Sequence, residues 1–247
     1  MATNKLETVT PYGDQRETKK GQVTSMFNKI APYYDFLNRF LSLGIDVWWR
    51  KKAIGVLKPY ANTHMLDVAT GTADLAIEAA ETLHPKTVIG MDISANMLKI
   101  GDKKIEKKEL EKVITLETGD SENLRFDTDQ FDTVTAAFGV RNFENLEKGL
   151  GEMFRVLKPG GVMMILEFSR PTTFPIKNIF NLYFKYLLPV IGKIRSKDAK
   201  AYQYLYESVQ VFPDYDQFAN ILKQLGFQEV EYKPLSFGIC TIYLAKK

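Results

Sequence analysis

The sequence predicts an α/β fold in which a mostly parallel, seven-stranded sheet carries helices on both faces. Three observations support this prediction: strand-like apolar runs alternate with helical periods between residues 65 and 167, a glycine turn follows the first run, and two strand-like runs end the chain. Alternating β and α segments are typical of parallel sheets covered by helices. At 247 residues, 45% of them apolar, the chain is long enough for one such domain with a full core.

The alternating pattern is preceded by a segment with a different character. Residues 1–20 are polar and charged, so we expect a disordered tail there. Apolar residues then recur at helical spacing from Val23 to Ile30, and we expect Pro32 to end this helix. Two more helices are predicted between residues 33 and 57. The chain thus divides into a tail and a single domain, 21–247, that begins with a helical preface at 22–57.

Seven strands and their helices follow in order. They are a strand at 65–69, a helix at 74–83, a strand at 87–92, a helix at 95–108, strands at 113–118 and 131–137, a helix at 146–157, a strand at 162–167, a helix at 215–225, and strands at 227–234 and 238–245. Pro159-Gly160-Gly161 is a turn before the fifth strand, and Gly226 closes the last helix. The short turn between the last two strands predicts one antiparallel pair.

Residues 168–214 form an insertion about twice as long as a normal connection. Its middle, 174–194, is rich in aromatic and aliphatic residues, but Lys177, Lys185 and Pro189 make it a poor membrane span. Two compatible interpretations remain open. The segment is a lid that packs on the carboxyl edge of the sheet, or an amphipathic surface that meets a membrane or an apolar substrate.

Charge and composition narrow the class of protein. The 33 basic and 30 acidic residues give a net charge of +3, which makes no strong case for nucleic acid as a partner. A single cysteine, Cys240, and two histidines argue against a disulfide framework and against a metal site. No signal peptide opens the chain, so we expect a cytoplasmic protein.

The turn after the first strand points to a nucleoside ligand. Gly71 lies in the turn 69–73, and Asp92 ends the next strand 21 residues later, where an acid can accept hydrogen bonds from a ribose. A dinucleotide site would need more glycines, and Asp67 in front of the turn would repel a diphosphate. A carboxylate suits a cationic ligand, and S-adenosylmethionine is one. The alternative is an ordinary βα turn that Asp67 caps.

Four further motifs carry a resemblance to a known family. They are Tyr34-Asp35-Phe36-Leu37-Asn38-Arg39-Phe40-Leu41-Ser42-Leu43-Gly44 followed by Trp49, Phe138-Gly139-Val140-Arg141-Asn142, Arg155-Val156-Leu157-Lys158-Pro159-Gly160-Gly161 with Leu166-Glu167-Phe168-Ser169, and Asp198 with Ala201-Tyr202-Gln203-Tyr204-Leu205. Together they resemble the quinone-biosynthesis C-methyltransferases, the demethylmenaquinone and ubiquinone-precursor methylases. The resemblance covers residues 22–245 and implies a class I S-adenosylmethionine-dependent methyltransferase fold, Rossmann-like, with 168–214 as a substrate or lid insertion.

Four positions depart from the pattern of this family. Thr70 and Ala73 stand where glycines are common, and their Cβ atoms crowd the nucleotide turn. Asp46 replaces a usual His or Gln, which is either a change in substrate recognition or a plain surface exchange. Ala137 stands where close relatives often have serine.

The resemblance also implies the residues that bind S-adenosylmethionine. Gly71 and the Thr72 backbone approach the methionine part, Asp92 takes the ribose hydroxyls, and Asp67 faces the ammonium end. Asp120 and Ser121, after the third strand, hold the adenine. The alternative for these polar residues is a role as helix caps and turn formers.

The implied reaction is carbon methylation of a prenylated quinol. Arg141 and Asn142, at the end of the fourth strand, are the expected catalytic residues, and Arg141 stabilises a phenolate or a water that relays the proton. The proton acceptor is Asp35, Tyr34 or a water, and these residues could instead cap and pack a helix. An ion pair with a loop carboxylate is the alternative role for Arg141.

The substrate choice stays open between a naphthoquinol, demethylmenaquinol to menaquinol, and a benzoquinol of the ubiquinone branch. Asp46 and Ala137 favour the naphthoquinol. A methyltransferase for another small acceptor and a noncatalytic cofactor-binding subunit are the rival functions. Because a prenylated quinol resides in the bilayer, we expect peripheral contact with the inner face of the membrane through 174–194.

Overall fold

The computed structural model describes residues 3–183 and 199–247, which form one seven-stranded sheet in the order β3-β2-β1-β4-β5-β7-β6. The strands are β1 (His64–Val68), β2 (Thr87–Asp92), β3 (Ile114–Thr118), β4 (Phe131–Ala137), β5 (Leu157–Phe168), β6 (Val230–Leu235) and β7 (Cys240–Lys246). The described helices are α1 (Thr3–Thr8), α2 (Lys19–Leu41), α3 (Ile45–Gly55), α4 (Asp74–Leu83), α5 (Ala95–Lys107), α6 (Leu146–Val156), α7 (Ile176–Leu182), α8 (Ala199–Val211) and α9 (Asp216–Gln224).

The pairing of the strands confirms the predicted α/β class. Strands β1 to β5 pair in parallel, and β7 inserts between β5 and β6 antiparallel to both. The predicted antiparallel pair of β6 and β7 is therefore present, and β7 adds a second antiparallel pairing with β5. Residues 158–161 bulge out between the Phe131–Leu157 and Thr133–Val162 pairs, where Gly160 adopts a φ of +76°.

Apolar side chains on both faces of the sheet explain why its strands read as continuous apolar runs. On one face, Leu66 and Val134 pack with the apolar faces of α6 and α9. On the other face, Met65 and Met164 pack with α3 and α4. The carboxyl ends of the parallel strands are left for the connecting turns, which is where open α/β sheets bind ligands.

Pro32 does not end the first helix, contrary to the prediction, because α2 runs without interruption from Lys19 to Leu41. A proline inside a helix leaves the carbonyl four residues earlier without its usual donor. Here that carbonyl belongs to Asn28, and it accepts instead from Asn96 Nδ2 at 3.1 Å. The Asn28 side chain also accepts from Ser94 Oγ and from the Asn96 backbone. The proline is thus tolerated where α2 docks onto the beginning of α5.

The expectation of a disordered tail at 1–20 is wrong for residues 3–20, the part of the tail that the structure describes. Residues 3–8 form α1, whose Leu6 is fully buried in the core. Thr18 caps α2 through the Gly21 N–H. The buried Lys19 donates from Nζ to the Leu6 carbonyl at 2.8 Å, so a lysine fastens the tail to the domain.

The insertion at 168–214 contributes two described helices, α7 and α8, which pack beside the carboxyl edge of the sheet. Residues 184–198, and with them most of the predicted 174–194 contact segment, lie outside the described residues. Over the described ranges, no helix combines the length and apolar character that crossing a bilayer requires.

Candidate active site

A narrow cavity, here called the polar cavity, opens at the carboxyl ends of β1 to β4. The turn after β1 forms its floor, and three of the five turn residues adopt left-handed backbone angles: Ala69 at φ +54°, Gly71 at +58° and Ala73 at +64°. A Cβ atom built on Gly71 would meet nothing within 4 Å. The turn therefore leaves open space above its glycine, and a ligand can approach the backbone there.

Asp92 holds the end of β2 against this turn. Its Oδ2 accepts from the Gly71 N–H at 2.8 Å, and its Oδ1 accepts from the Ser94 N–H at 2.8 Å. Burial raises the pKa of this carboxyl, while backbone donors from Ser94, Gly71 and Ile93 act in the opposite direction. A carboxylate has about four acceptor positions, so these donors do not fill them all, and a ligand can reach Asp92 from the cavity that it lines.

The far end of the polar cavity is lined by Asp120 and Ser121, as the sequence predicted. Asp120 Oδ1 accepts from the Glu122 N–H at 2.9 Å, and its Oδ2 forms an ion pair with Lys20 at 2.8 Å. Lys20 also pairs with Glu122 at 3.3 Å. The first turn of α2 thus closes over this end of the cavity through Lys20, a residue that the sequence analysis did not single out.

The lining of the polar cavity fits a cationic nucleoside better than a diphosphate. Four acids face one lysine: Asp92, Asp120, Glu122 and Glu144 against Lys20. Coulomb repulsion from four carboxylates disfavours a phosphate group, and the same carboxylates attract a ligand with an ammonium and a sulfonium. The open space above Gly71 and the unfilled acceptor positions of Asp92 fit the methionine and ribose parts of S-adenosylmethionine.

Asp67 does not line this cavity, contrary to its predicted place at the ammonium end. Its two carboxylate oxygens accept from Thr70 Oγ1 at 2.6 Å and from Thr135 Oγ1 at 2.7 Å, behind the turn. Burial raises the pKa of Asp67 to about 6. Thr70, where a glycine is common, thus contributes a hydroxyl that fastens the turn to the end of β1.

The raised pKa of Asp67 predicts that the protein becomes less stable as this carboxyl ionises. Because the folded-state pKa of this acid lies above its unfolded value, the folded protein holds the proton more tightly, and ionisation destabilises it as the pH rises from about 4 to 6. At pH 7 the cost is about 3 kcal/mol for a shift from 3.8 to about 6. Asparagine does not ionise, so the variant Asp67→Asn avoids this cost. We expect the free energy of unfolding of Asp67→Asn, measured with urea, to rise relative to that of the wild type by about this amount between pH 4 and pH 7. The surface substitution Asp102→Asn is the control, and a gap that stays constant with pH would contradict the account.

Asp35 and Thr72 are also placed away from the polar cavity. Thr72 Oγ1 donates to Asp35 Oδ1 at 2.5 Å, and Asp35 Oδ2 forms an ion pair with Lys104 at 3.0 Å. Lys104 pairs in turn with Asp74 at the beginning of α4. Neither residue lines the polar or the apolar cavity, so no contact in this arrangement supports the predicted catalytic role of Asp35 or the predicted ligand contact of Thr72. Both instead fasten α2 and α5 to the nucleotide turn.

The turns after β1 and β4 touch through two small residues. A Cβ atom built on Gly139 would lie 2.6 Å from the Ala69 Cβ, well inside van der Waals contact. We expect Gly139→Ala to lower the free energy of unfolding by about 1–3 kcal/mol, because it forces the two turns apart. The double variant Ala69→Gly/Gly139→Ala moves the methyl group across the contact, and glycine suits the positive φ at residue 69. It should recover most of the loss in urea denaturation. Equal losses in the single and double variants would show that this contact is not the cause.

A second, larger cavity of about 470 Å³ adjoins the first and is here called the apolar cavity. Its walls come from α2, α3, α7 and α8, from the ends of β4 and β5, and from residues 236–239. Trp49 packs against the rings of Phe138 and Phe168, with centroids 6.1 and 6.0 Å away. Phe27, Tyr34, Phe138 and Asn142 line both cavities, so the two share a wall.

Arg141 lies at the inner end of the apolar cavity and is paired with Glu167 at the end of β5, rather than with the loop carboxylate of the alternative interpretation. Its Nη1 contacts Glu167 Oε1 at 2.6 Å, and both side chains are almost completely buried. Burial raises the pKa of Glu167, and the guanidinium acts in the opposite direction. Arg141 Nη1 and Asn142 Nδ2 both donate to the carbonyl of Phe138, a residue held at φ +56°. Such backbone strain is typical of functional sites.

Three buried polar atoms of residues that line the apolar cavity have no hydrogen-bond partner. Arg141 Nε, Asn142 Oδ1 and the Tyr204 hydroxyl are buried without a hydrogen bond, and all three residues line the apolar cavity. Burial raises the pKa of Tyr204, which keeps its hydroxyl protonated. An unpaired buried polar atom costs about 1–3 kcal/mol. Two donors and an acceptor at one end of an apolar cavity therefore indicate a ligand with an oxygen on an apolar body.

Tyr34 and Asp46 are placed on the cavity walls. Tyr34 lies on the wall shared by both cavities, and burial raises its pKa, so it is a donor rather than a base at neutral pH. Asp46 accepts from Ser42 Oγ at 2.6 Å and pairs with Arg50 at 2.7 Å while it lines the apolar cavity. The interpretation of Asp46 as a plain surface exchange is therefore wrong.

Seven of the ten site residues predicted from the sequence line a cavity, and Tyr204 was not among the ten. Gly71, Asp92, Asp120 and Ser121 line the polar cavity, Tyr34 and Asn142 line both, and Arg141 lines the apolar cavity alone. Tyr204 stood inside a quoted motif, but its orientation depends on how α8 packs. Among the described residues, no group of three or more His, Cys, Asp or Glu side chains is arranged to hold a metal ion.

Comparison with known proteins agrees with this geometry. Residues 14–247 match the model of the ubiE/COQ5 methyltransferase family. The chain is 46% identical over 241 residues to a demethylmenaquinone methyltransferase of Bacteroides fragilis, with 98% of each chain covered. It is 44% identical over 232 residues to a ubiquinone/menaquinone biosynthesis C-methyltransferase of Geotalea daltonii, covering 93% of this chain and 98% of the relative.

Solved structures share the fold at low sequence identity. A S-adenosylmethionine-dependent methyltransferase of Thermotoga maritima superposes with a TM-score of 0.63 at 16% identity, covering 90% of this chain and 99% of the other. A Haemonchus contortus phosphoethanolamine N-methyltransferase in complex with S-adenosylmethionine gives 0.59 at 17% identity, covering 86% and 59%. These likenesses confirm the predicted class I methyltransferase fold. With the family model matched over almost the whole chain, the protein belongs to the ubiE/COQ5 methyltransferase family.

Proposed function

We propose that the protein transfers a methyl group from S-adenosylmethionine to a ring carbon of a prenylated quinol, demethylmenaquinol, and so forms menaquinol. The observation that carries the proposal is the apolar cavity with Arg141 Nε, Asn142 Oδ1 and the Tyr204 hydroxyl unpaired at its inner end. A quinol offers oxygen atoms on an apolar ring and an apolar prenyl chain. The relatives named for this reaction, at 45–46% identity, support the same substrate.

The polar cavity would hold S-adenosylmethionine. Asp92 would accept hydrogen bonds from the ribose hydroxyls, Asp120 and Ser121 would hold the adenine, and the backbone at Gly71 would meet the methionine part. The cofactor, when bound, supplies a methyl group on a cationic sulfur. Asn142 and Tyr34, on the wall shared by the two cavities, would border both ligands.

The quinol ring would lie at the inner end of the apolar cavity, with its prenyl chain toward the mouth. Phe138 and Phe168, whose ring centroids are 4.7 Å apart with the planes inclined by 38°, offer two aromatic rings for contact with the quinol ring. Arg141 lies over Phe168, with Cζ 5.4 Å from the ring centroid. Arg141, Asn142 and Tyr204 give this end polar groups for an oxygen atom, and apolar side chains such as Leu37, Leu41 and Ile179 line the cavity for the prenyl chain.

Arg141 and Tyr204 would make the ring carbon a better nucleophile. A phenol has a pKa near 10, so the anion that activates the neighbouring carbon must be stabilised by the site. Arg141 keeps its charge in proteins, and its Nε is free to donate to the phenolate oxygen. Tyr204 would donate a second hydrogen bond, and Asn142 Oδ1 would accept from the hydroxyl before it ionises. Water would take the phenolic proton; as the ring carbon bonds to the methyl group, the bond from the methyl group to sulfur would break, and the proton on that carbon would leave to restore the aromatic ring. Buried donors aimed at a developing negative charge are the strongest single contribution in many enzymes.

A mass-spectrometric assay tests the proposal. The protein is mixed with S-adenosylmethionine and short-chain prenyl forms of the naphthoquinol and the benzoquinol under reducing conditions. We expect a product heavier by one methylene on the naphthoquinol, and Asp92→Asn should abolish it together with cofactor binding in calorimetry. Product on both quinols would extend the substrate range to the ubiquinone branch, for which relatives at 44% identity are also named. Product on neither, with cofactor binding intact, would overturn the proposal.

We also propose that the protein works at the inner face of the membrane while residing in the cytoplasm. A prenylated quinol partitions into lipid, and the predicted contact segment 174–194 begins with an exposed Phe174 and an exposed helix face at Ile179 and Leu182. Separation of a cell lysate into membrane and cytosolic fractions tests the location. Recovery of the protein in the cytosolic fraction alone would contradict the contact with the membrane.

A further inference from the structure

The large apolar side chains that the described residues expose are not scattered. They lie in three segments, residues 33–48, residues 174–182 and residue 237. This set, here called the apolar rim, consists of Tyr33, Phe36, Phe40, Leu43, Ile45, Trp48, Phe174, Ile179, Leu182 and Phe237. Single exposed apolar residues are ordinary on a protein surface, but their concentration in one region marks an interaction site.

The apolar rim surrounds the mouth of the apolar cavity. Four of its members also line that cavity: Leu43, Ile45, Ile179 and Phe237. The surface is therefore continuous with the interior in which we place the substrate. A partner protein seated on it would block the entrance, whereas a lipid phase in contact with it would open directly into the cavity.

Leu43, at the tip of the rim, is unfavourable to the free protein in two ways. Its side chain is 85% exposed, and its backbone adopts φ +53°, a left-handed conformation that favours glycine. Gly44 follows at φ +80° and completes the turn between α2 and α3. Neither the exposure nor the backbone strain stabilises the free protein. Backbone strain of this kind is concentrated at functional sites.

The two helices that meet at this turn each present aromatic residues at helical spacing. Phe36 and Phe40 on α2 stack with ring centroids 5.9 Å apart. On α3, Ile45, Trp48 and Lys52 share one face, and Lys52 Nζ lies 5.8 Å from the Trp48 ring centroid. An aromatic ring beside a lysine with a long apolar stem is the arrangement that suits the interface between lipid tails and head groups.

The charge around the rim is positive. Lys51, Lys52 and Lys177 are exposed there. The two acids of the 33–52 stretch are engaged elsewhere, because Asp35 pairs with Lys104 and the buried Asp46 pairs with Arg50. Cations beside an apolar surface attract anionic lipid head groups.

We propose that the apolar rim docks onto a lipid bilayer that contains anionic lipids, with Leu43 and Trp48 entering the head-group region. The proposal rests on the proposed function only for its purpose, which is to bring the cavity mouth to a membrane-dissolved substrate. It extends the membrane contact from the 174–194 segment to the corner of α2 and α3.

Trp48 provides a direct reporter for this contact. The chain has two tryptophans, and the other, Trp49, is buried with its Nε1 donating to Ser236 Oγ at 2.8 Å. Vesicles of phosphatidylcholine with phosphatidylglycerol and brominated acyl chains should quench the fluorescence of the wild type. They should quench Trp48→Phe much less, because this variant retains only Trp49, which is buried in the wall of the apolar cavity. Vesicles of phosphatidylcholine alone should quench less, because they lack the anionic head group.

Vesicle flotation with matched variants measures how much the aromatic rings, the lysine and the turn residue of the rim each contribute to vesicle binding. Phe36→Ser/Phe40→Ser removes two rings that line neither cavity, and we expect vesicle binding to fall by at least about tenfold. Turnover of a short-chain, water-soluble quinol should stay unchanged. Lys52→Glu should weaken binding, whereas the same charge change in Lys86→Glu, at the opposite edge of the sheet, should not. Leu43→Gly should weaken binding without lowering the Tm, because it relieves the left-handed strain.

The results of these experiments distinguish failure of the docking proposal from failure of the proposed function. Absent quenching and flotation, with short-chain turnover intact, would overturn the docking proposal and leave the proposed function standing. Vesicle binding without turnover of any quinol would support the surface and count against the function. If light scattering shows a dimer that Phe36→Ser/Phe40→Ser disperses, and vesicles do not bind, then a second copy of the chain covers the rim and the proposal is wrong.

Discussion

Tyr204→Phe is expected to reduce kcat/KM for the quinol by about 10- to 100-fold while it leaves the Tm unchanged or slightly higher. The hydroxyl that this substitution removes has no protein partner, although the side chain is 2% exposed. Nothing in the folded protein therefore loses a hydrogen bond. A substrate anion would lose one, and a hydrogen bond to a charged group contributes about 1.5–3 kcal/mol.

Tyr243→Phe is the matched control, because Tyr243 is equally buried but its hydroxyl is in use. It accepts from the Tyr215 N–H at 2.8 Å, away from both cavities. Its loss leaves a backbone donor unpaired, and we expect the free energy of unfolding to fall by about 1–3 kcal/mol. Turnover well below the Tm should be unaffected. If both variants lose stability and keep turnover, Tyr204 has no contact with the substrate.

Arg141→Ala is expected to have the largest effect of any single substitution. It leaves Glu167, which has no solvent exposure, without its cation, and breaking a buried ion pair in this way costs about 3–5 kcal/mol. It also removes the donor nearest the proposed phenolate, for which we expect a loss of turnover of about 10²- to 10³-fold. Urea unfolding and steady-state kinetics measure the two effects separately.

Arg141→Lys separates stability from catalysis. A lysine keeps a positive charge beside Glu167 but lacks the fork that contacts Glu167 and the cavity at the same time. We expect most of the stability to return and most of the turnover to stay lost, with S-adenosylmethionine binding close to that of the wild type. Arg125→Ala, which breaks the exposed pair with Glu117, should change stability by less than about 1 kcal/mol. A parallel recovery of stability and turnover in Arg141→Lys would contradict the role of Nε.

Local patterns in the sequence predict the sheet and the nucleotide turn because each depends on a few neighbouring residues. The strand that ends at Asp92 and the turn at Gly71 meet through two hydrogen bonds, from the Gly71 N–H to Asp92 Oδ2 and from the Thr70 N–H to the Met91 carbonyl, and the βα pattern alone brings their positions together. The predicted bounds of β1 and β2 differ from the observed ones by a residue at most. For these elements, periodicity and glycine placement carry the information.

The sequence-based predictions fail where contacts between distant parts of the chain determine the structure. Tyr34 and Asp35 are adjacent in sequence, but neighbouring residues on a helix point about 100° apart. Tyr34 therefore meets the cavities, and Asp35 meets Lys104 on another side. Pro32 is tolerated because Asn96, 64 positions away, supplies the missing donor. No local pattern shows either relation.

The central claim is that the quinol ring lies in the apolar cavity with its oxygen at Arg141, Asn142 and Tyr204. A crystal structure with S-adenosylhomocysteine and a short-chain prenyl naphthoquinone tests it most directly. We predict a ring oxygen about 3 Å from Arg141 Nε and the Tyr204 hydroxyl, with the ring against Phe138 and Phe168 and the prenyl chain toward Leu43. A ring bound elsewhere, with those polar atoms still unpaired, would contradict the account.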